Sequence, residues 1–197
     1  RYYEAGKQLD SINRVNTAFR FRNNNYTAKV GMDYTPNKKN SFGIVLNGFL
    51  FAGRPTPTTH TTFSTIDGDV FSRLNSHTTN KLSWKNFSTN LNYKHTFDST
   101  GTELTIDLDY SGYKNVSDQL LRTGFFDGNN NQTSDSMFLK GHLPSEINIY
   151  SLKSDFTKTF KTGLRIEAGI KTSYVKSDNL VDYVRKAGNN WVPDARN

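Results

Sequence analysis

Three stretches of this chain sustain an apolar/polar alternation, turn within a few residues, and return in the same alternation. Tyr26, Ala28, Val30, Met32 and Tyr34 interleave with Thr27, Lys29, Gly31, Asp33 and Thr35. After Pro36-Asn37-Lys38-Lys39-Asn40 the row resumes at Phe42, Ile44, Leu46 and Leu50. Successive side chains on a strand point to opposite faces, so each stretch has one greasy face and one wet face. The fold is therefore all-β, an antiparallel meander of long hairpins.

The remaining hairpins follow the same rule. Phe87, Leu91, Tyr93 and Phe97 share a face, Asp98–Gly101 turns the chain, and Leu104, Ile106, Leu108 and Tyr110 carry the row back. Ile149–Lys158 pairs with Leu164–Lys176, where Leu164, Ile166, Ala168, Ile170 and Tyr174 oppose Arg165, Glu167, Gly169, Lys171 and Ser173. The hairpins are expected at about 26–51, 82–114 and 149–176. A further strand is expected from Ile12 to Phe21, closed by a turn at Arg22-Asn23-Asn24-Asn25. Long polar loops are expected over 52–81, 115–148 and 177–197, where prolines, Thr, Asn and Asp-Gly pairs replace the alternation.

Short turns at one end and long loops at the other are the pattern of a transmembrane β-barrel. Composition agrees. Only 34% of the 197 residues are hydrophobic, a small share for a domain with a dry core, but a barrel wall needs apolar residues only at alternate strand positions. No apolar run approaches the roughly 18 residues of a membrane helix. Tyr34, Phe97 and Phe160 lie beside the short turns, and Tyr26, Tyr110, Tyr150 and Tyr174 toward the opposite ends. Aliphatic and small residues fill the middle, as the aromatic girdles of a barrel require. Closed bacterial barrels start at about eight strands, more than can be counted here, so the whole chain, 1–197, reads as one contiguous wall of a larger barrel. Such strands also occur in soluble sheets with one face on a core. The alternative is thus a soluble extracellular all-β binding module, with Trp84 and Trp191 offering a stacking surface for carbohydrate.

The stretch Lys29-Val30-Gly31-Met32-Asp33-Tyr34-Thr35-Pro36-Asn37-Lys38-Lys39-Asn40-Ser41-Phe42-Gly43 resembles a hairpin of the outer-membrane β-barrel family of Bacteroidetes-type TonB-dependent receptor-like proteins. So do Thr102–Ser111 and, most specifically, Gly163–Tyr174 followed by Asp178-Asn179. The resemblance implies an internal part of the barrel of a nutrient transporter in the outer membrane of a Gram-negative bacterium. It also implies outer-membrane lipid, a plug domain, the remaining strands, the TonB system and a small nutrient as partners. It implies no catalytic residue and no cofactor.

The residues themselves support little other chemistry. The charge is +7, but Lys and Arg are scattered and no basic run interleaves with aromatics, so nucleic acid is not an expected partner. With no cysteine, thiolate metal sites and thiol nucleophiles are excluded. His60, His77, His95 and His142 show no paired ligand spacing. Asp67-Gly68-Asp69 and Asp127-Gly128-Asn129-Asn130-Asn131 offer oxygens, yet the second lacks the glycine and final Glu of a calcium loop, and turn chemistry accounts for both. No nucleophile or phosphate-binding motif is present, so an enzyme is not expected. What remains is a polar face. Lys29, Asp33, Asp107, Asp109, Lys153, Asp155, Arg165, Glu167 and Lys171 all fall on the wet side of their strands, as a lumen-facing network or as plainly solvated charges.

Overall fold

In the computed structural model, which describes residues 2–3 and 9–194, every regular element is a β-strand. In chain order these are β1 (Tyr2–Tyr3), β2 (Leu9–Asn37), β3 (Asn40–Ser64), β4 (Val70–Thr96), β5 (Glu103–Asp127), β6 (Gln132–Thr159), β7 (Arg165–Asn179), β8 (Asp182–Ala187) and β9 (Asn190–Pro193). All pairings are antiparallel between sequence neighbours, except that β6 takes both β7 and β8 along one edge. The result is a single meander.

The strands are far longer than the alternation predicts. Residues 52–81 and 115–148 are not loops. β3 continues to Ser64 and pairs with β2 as far as Ile12, and β5 and β6 stay paired from Glu103↔Thr157 to Phe126↔Gln132. The turns shrink to 65–69 and 128–131. Arg22–Asn25 is likewise mid-strand, with Arg22 opposite Arg54 and Asn25 opposite Phe51. In the last expected loop, 177–197, β7 continues to Asn179 and the short hairpin β8–β9 follows, while 195–197 lie outside the described residues. Backbone hydrogen bonding drives these extensions. A β-ladder needs no apolar side chain, so Thr-, Asn- and Ser-rich segments pair as well as greasy ones once a hairpin has set the register.

Cross-strand register sorts the side chains into two faces. Tyr26↔Leu50, Val30↔Leu46, Met32↔Ile44 and Tyr34↔Phe42 join β2 to β3. Ile44↔Leu91↔Leu108↔Leu152 carries the same face across β4, β5 and β6. This outer face holds an apolar band running Tyr26–Tyr34, 42–50, 87–97, 104–110, 150–156 and 166–174 on successive strands. Its side chains are open, with Val30 63% and Ile170 71% exposed, and no apolar side chain among the described residues is buried. Among the described residues no second layer covers it. Seven to eleven residues per strand is about the span that a tilted strand needs to cross a bilayer.

Rings close both ends of the band. Tyr110, Tyr150 and Tyr174 follow one another at 5.1 and 6.3 Å between centroids. At the other end Phe42 stacks on Tyr93 at 4.8 Å, and Phe97 touches both His95 and Phe156. The tyrosine hydroxyls turn toward polar partners, Tyr110 donating to Asn148 Oδ1 and Tyr93 to Asn40 Oδ1, both at 2.8 Å. Rings with an apolar body and a polar tip suit the headgroup boundary.

The band slants across the sheet. Tyr174 faces Tyr150, then Tyr110, Thr89, Leu46 and finally Val30, four residues short of Tyr26. A fall of four residues over five inter-strand steps is a slope of about 30°, close to the strand tilt of membrane barrels. Among the described residues, β2 beyond its short pairing with β1, and the far edge of β7, have no partner strand. Such edges cannot face lipid, because every backbone group there must be satisfied. The sheet is a segment of a larger transmembrane β-barrel.

Candidate functional site: a polar lumen below an aromatic wall

The inner face opposite the apolar band is built from small and charged residues. One row reads Asp33, Gly43, Asn92, Asp107, Lys153 and Lys171, each directly opposite the next. A second reads Gly31, Val45, Asn90, Asp109, Ser151 and Ser173. All nine charged residues expected on the wet side lie on this face. They make separate contacts rather than one network. Lys153 pairs with Asp155 at 2.5 Å and Arg165 with Glu167 at 2.5 Å, each within one strand. Asp109 accepts a 2.7 Å hydrogen bond from Asn90, whose own oxygen accepts from Asn92 at 3.3 Å. Lys29, Asp33 and Lys171 have no ion-pair partner within 4.0 Å among the described residues.

Gly43 gives this row its shape. A Cβ there would come within 2.6 Å of the Asp33 carboxylate and 2.5 Å of the Asn92 amide, so only a glycine lets both polar heads lean over β3. Lys94 and Glu103, paired at 2.6 Å across the Asp98 turn, belong to the same face and were not singled out from sequence. Opposite charges near the two ends of a short turn were the available signal.

Above the band the inner face changes character. Phe19, Phe21, Phe51 and Trp84 form a ladder of rings, with Phe51 stacked on Trp84 at 4.6 Å and Phe21 6.2 Å from Phe51. Gly53 leaves the space, since a Cβ there would meet the Phe51 ring at 2.8 Å and the Phe21 ring at 3.0 Å. Trp84 is therefore an inner-wall residue. Trp191 lies on the short β9, under the Lys140 ammonium at 3.9 Å, so the two tryptophans share no platform.

The acidic turns are organised by their own backbone. Asp98 accepts from Thr100 Oγ1 at 2.5 Å, Thr100 N at 2.9 Å and Thr102 N at 3.3 Å, and the Thr100 hydroxyl leads in lowering its pKa to about 2. Asp127 accepts from the Asn131 side chain and from the Asn129 and Asn131 amides, which hold its carboxyl below the usual value, and Asn130 takes φ 70° to complete the turn. In the Asp67–Asp69 turn, Asp69 N donates to Thr65 Oγ1 at 3.1 Å. The histidines have separate partners: His60 with Asn75, His77 with Thr58, His95 with Asn40 and His142 with Asp118.

An open antiparallel wall with an apolar band outside, aromatic girdles at both margins and a charged inner face defines an outer-membrane barrel wall. Residues 95–197 match the Outer membrane protein beta-barrel family, and the chain belongs to that family. It resides in the outer membrane of a Gram-negative bacterium. None of the curated proteins matches the chain.

Proposed function

We propose that this wall belongs to a TonB-dependent receptor-like transporter that takes up a small nutrient. The observation that carries this reading is the height of the wall. Strands of 25 to 29 residues extend on the order of 85–100 Å, two to three times what nine to eleven tilted residues provide. Nearly all of the surplus stands on one side of the band, with no more than three residues per strand past its other margin. Short turns belong to the periplasmic end and long projections to the outside, so the surplus forms a tall external vestibule. Its inner aromatic ladder offers flat apolar surface to a solute entering from outside, and the polar rows below continue the path through the bilayer. A plug seated against those rows, and coupling to the TonB system, complete the proposal.

The soluble carbohydrate-binding alternative has less support. It requires the apolar rows to pack on a second layer, and those rows are open.

The test uses the full-length protein in its own host. Deletion is expected to slow growth on one class of scarce nutrient, an iron chelate, a peptide or a glycan. A protonophore should abolish the same uptake in the parent strain. Uptake that persists without proton motive force and scales only with solute size would indicate a passive pore and overturn the proposal.

A further inference from the structure

The outer face above the apolar band carries an arrangement that a sheet surrounded only by water would avoid. Arg22 on β2 is the direct cross-strand partner of Arg54 on β3, and Lys85 on β4 is the direct partner of Lys114 on β5. Like charges placed opposite each other on one face repel and destabilise the pair. Arg20 and Lys81 lie on the same face, so six cations occupy four adjacent strands. Among the described residues only Lys114 has a carboxylate within reach, Glu146 at 3.9 Å. Arg20, Arg22, Arg54, Lys81 and Lys85 have none within 4.0 Å among the described residues. On the inner face the like-charged pair Lys153 and Lys171 has a carboxylate beside it, with Asp155 at 2.5 Å from Lys153.

The position of the cluster indicates the kind of anion it meets. The six cations sit two to six residues beyond the residue that ends the outer apolar band on their strand, Tyr26, Leu50, Phe87 or Tyr110. With tilted strands this is roughly 5–15 Å past the hydrocarbon edge, the depth of the lipid headgroups. Arg22, Arg54 and Lys81 also border a cavity of about 580 Å³ on this face, floored by Asn24, Ala52 and Gly53. Guanidinium groups side by side match the oxygens of a phosphate.

We infer that Arg22, Arg54 and Lys81, flanked by Arg20, Lys85 and Lys114, form a binding site for the phosphate of a phosphorylated glycolipid in the external leaflet. The inference requires the external side to be that of the strand extensions. It does not require the transport function.

The experiment uses the full-length protein in detergent, titrated with bis-phosphorylated lipid A, with the same lipid stripped of its phosphates, and with inorganic phosphate alone. Binding is read by native mass spectrometry and stability by thermal unfolding. The phosphorylated lipid is expected to bind at least tenfold more tightly than the stripped one and to raise the unfolding temperature, with inorganic phosphate doing neither. In Arg22→Gln/Arg54→Gln the preference should fall to within about twofold. Without lipid the same variant should unfold at the same or a higher temperature, because a repulsive pair has been removed. Equal binding of the two lipids, a preference that survives the double substitution, or full protection by inorganic phosphate would each overturn the site. If the double variant loses its fold, Lys81→Gln read by the same preference decides the matter.

Discussion

The membrane-spanning third of this sheet and the extension above it share one backbone ladder and one register, yet their faces carry opposite chemistry. In the band, Val30, Leu46, Leu91 and Leu108 point outward while Asp33, Asp107 and Lys153 point inward. In the extension, Arg22, Arg54 and Lys81 point outward while Phe21, Phe51 and Trp84 point inward. Backbone pairing thus sets the architecture, and the medium touching each face selects the side chains. The change of medium shows as an exchange of faces within a few residues of Tyr26, Leu50 and Phe87.

The largest expected effect separates the two regions. Leu46→Arg places a charge at the middle of the outer band and should cost about 2–4 kcal/mol in lipid. Asn16→Arg, on the same face of the extension, should stay within about 0.5 kcal/mol. Urea unfolding of the full-length protein in bilayers measures both, and equal costs would erase the distinction. Next in size is the aromatic wall. A double-mutant cycle of Phe51→Ala and Trp84→Ala should give a coupling of about 0.5–1.5 kcal/mol, because the stacked pair contributes beyond its buried area. Loss of the coupling would show that the inner rings act singly.

Charge reversal in the lumen should do less. Arg165 and Glu167 are both about 60% exposed, so Arg165→Glu is expected to change stability by no more than about 1 kcal/mol. A larger loss, or a loss of uptake, would mean that the separate pairs act through a plug. The smallest effect lies outside the bilayer. Asp98 has a folded pKa of about 2 against an ordinary 3.8, so its contribution is complete above the ordinary value and disappears as pH falls through the folded one. Asp98→Asn should flatten the acid limb of the unfolding profile between pH 4 and 2 and leave its shape above pH 5 unchanged.

Much of the band was legible in the sequence. Alternation from Tyr26 to Tyr34 and from Leu104 to Tyr110 needs a solvent difference between two faces, and the bilayer supplies the largest one available. The nine polar residues fell on one face for the same reason. The extension was not legible. His60, Thr61, Thr62, Asn75 and Ser76 lie on paired strands, but both faces there meet water, so no alternation marks them and Pro55 and Pro57 suggest a loop. Phe19, Phe21, Phe51 and Trp84 gave no signal of contact, because the first two sit more than 25 residues before Phe51 and meet it only through the register of β2 with β3. Arg22 and Arg54 were hidden in the same way. Each is an ordinary exposed cation until pairing sets them opposite each other.

The central claim is that the outer band touches hydrocarbon. The chain has no cysteine, so single cysteines along β3 can each carry a spin label in the full-length protein reconstituted in liposomes. Collision with oxygen and with a water-soluble nickel chelate should alternate from Phe42 to Leu50. Labels at 42, 44, 46, 48 and 50 should be reached by oxygen and not by nickel, and from Arg54 outward the same face should be reached by nickel. Labels at 42–50 shielded from both relaxers would place a protein layer over the band and contradict the account.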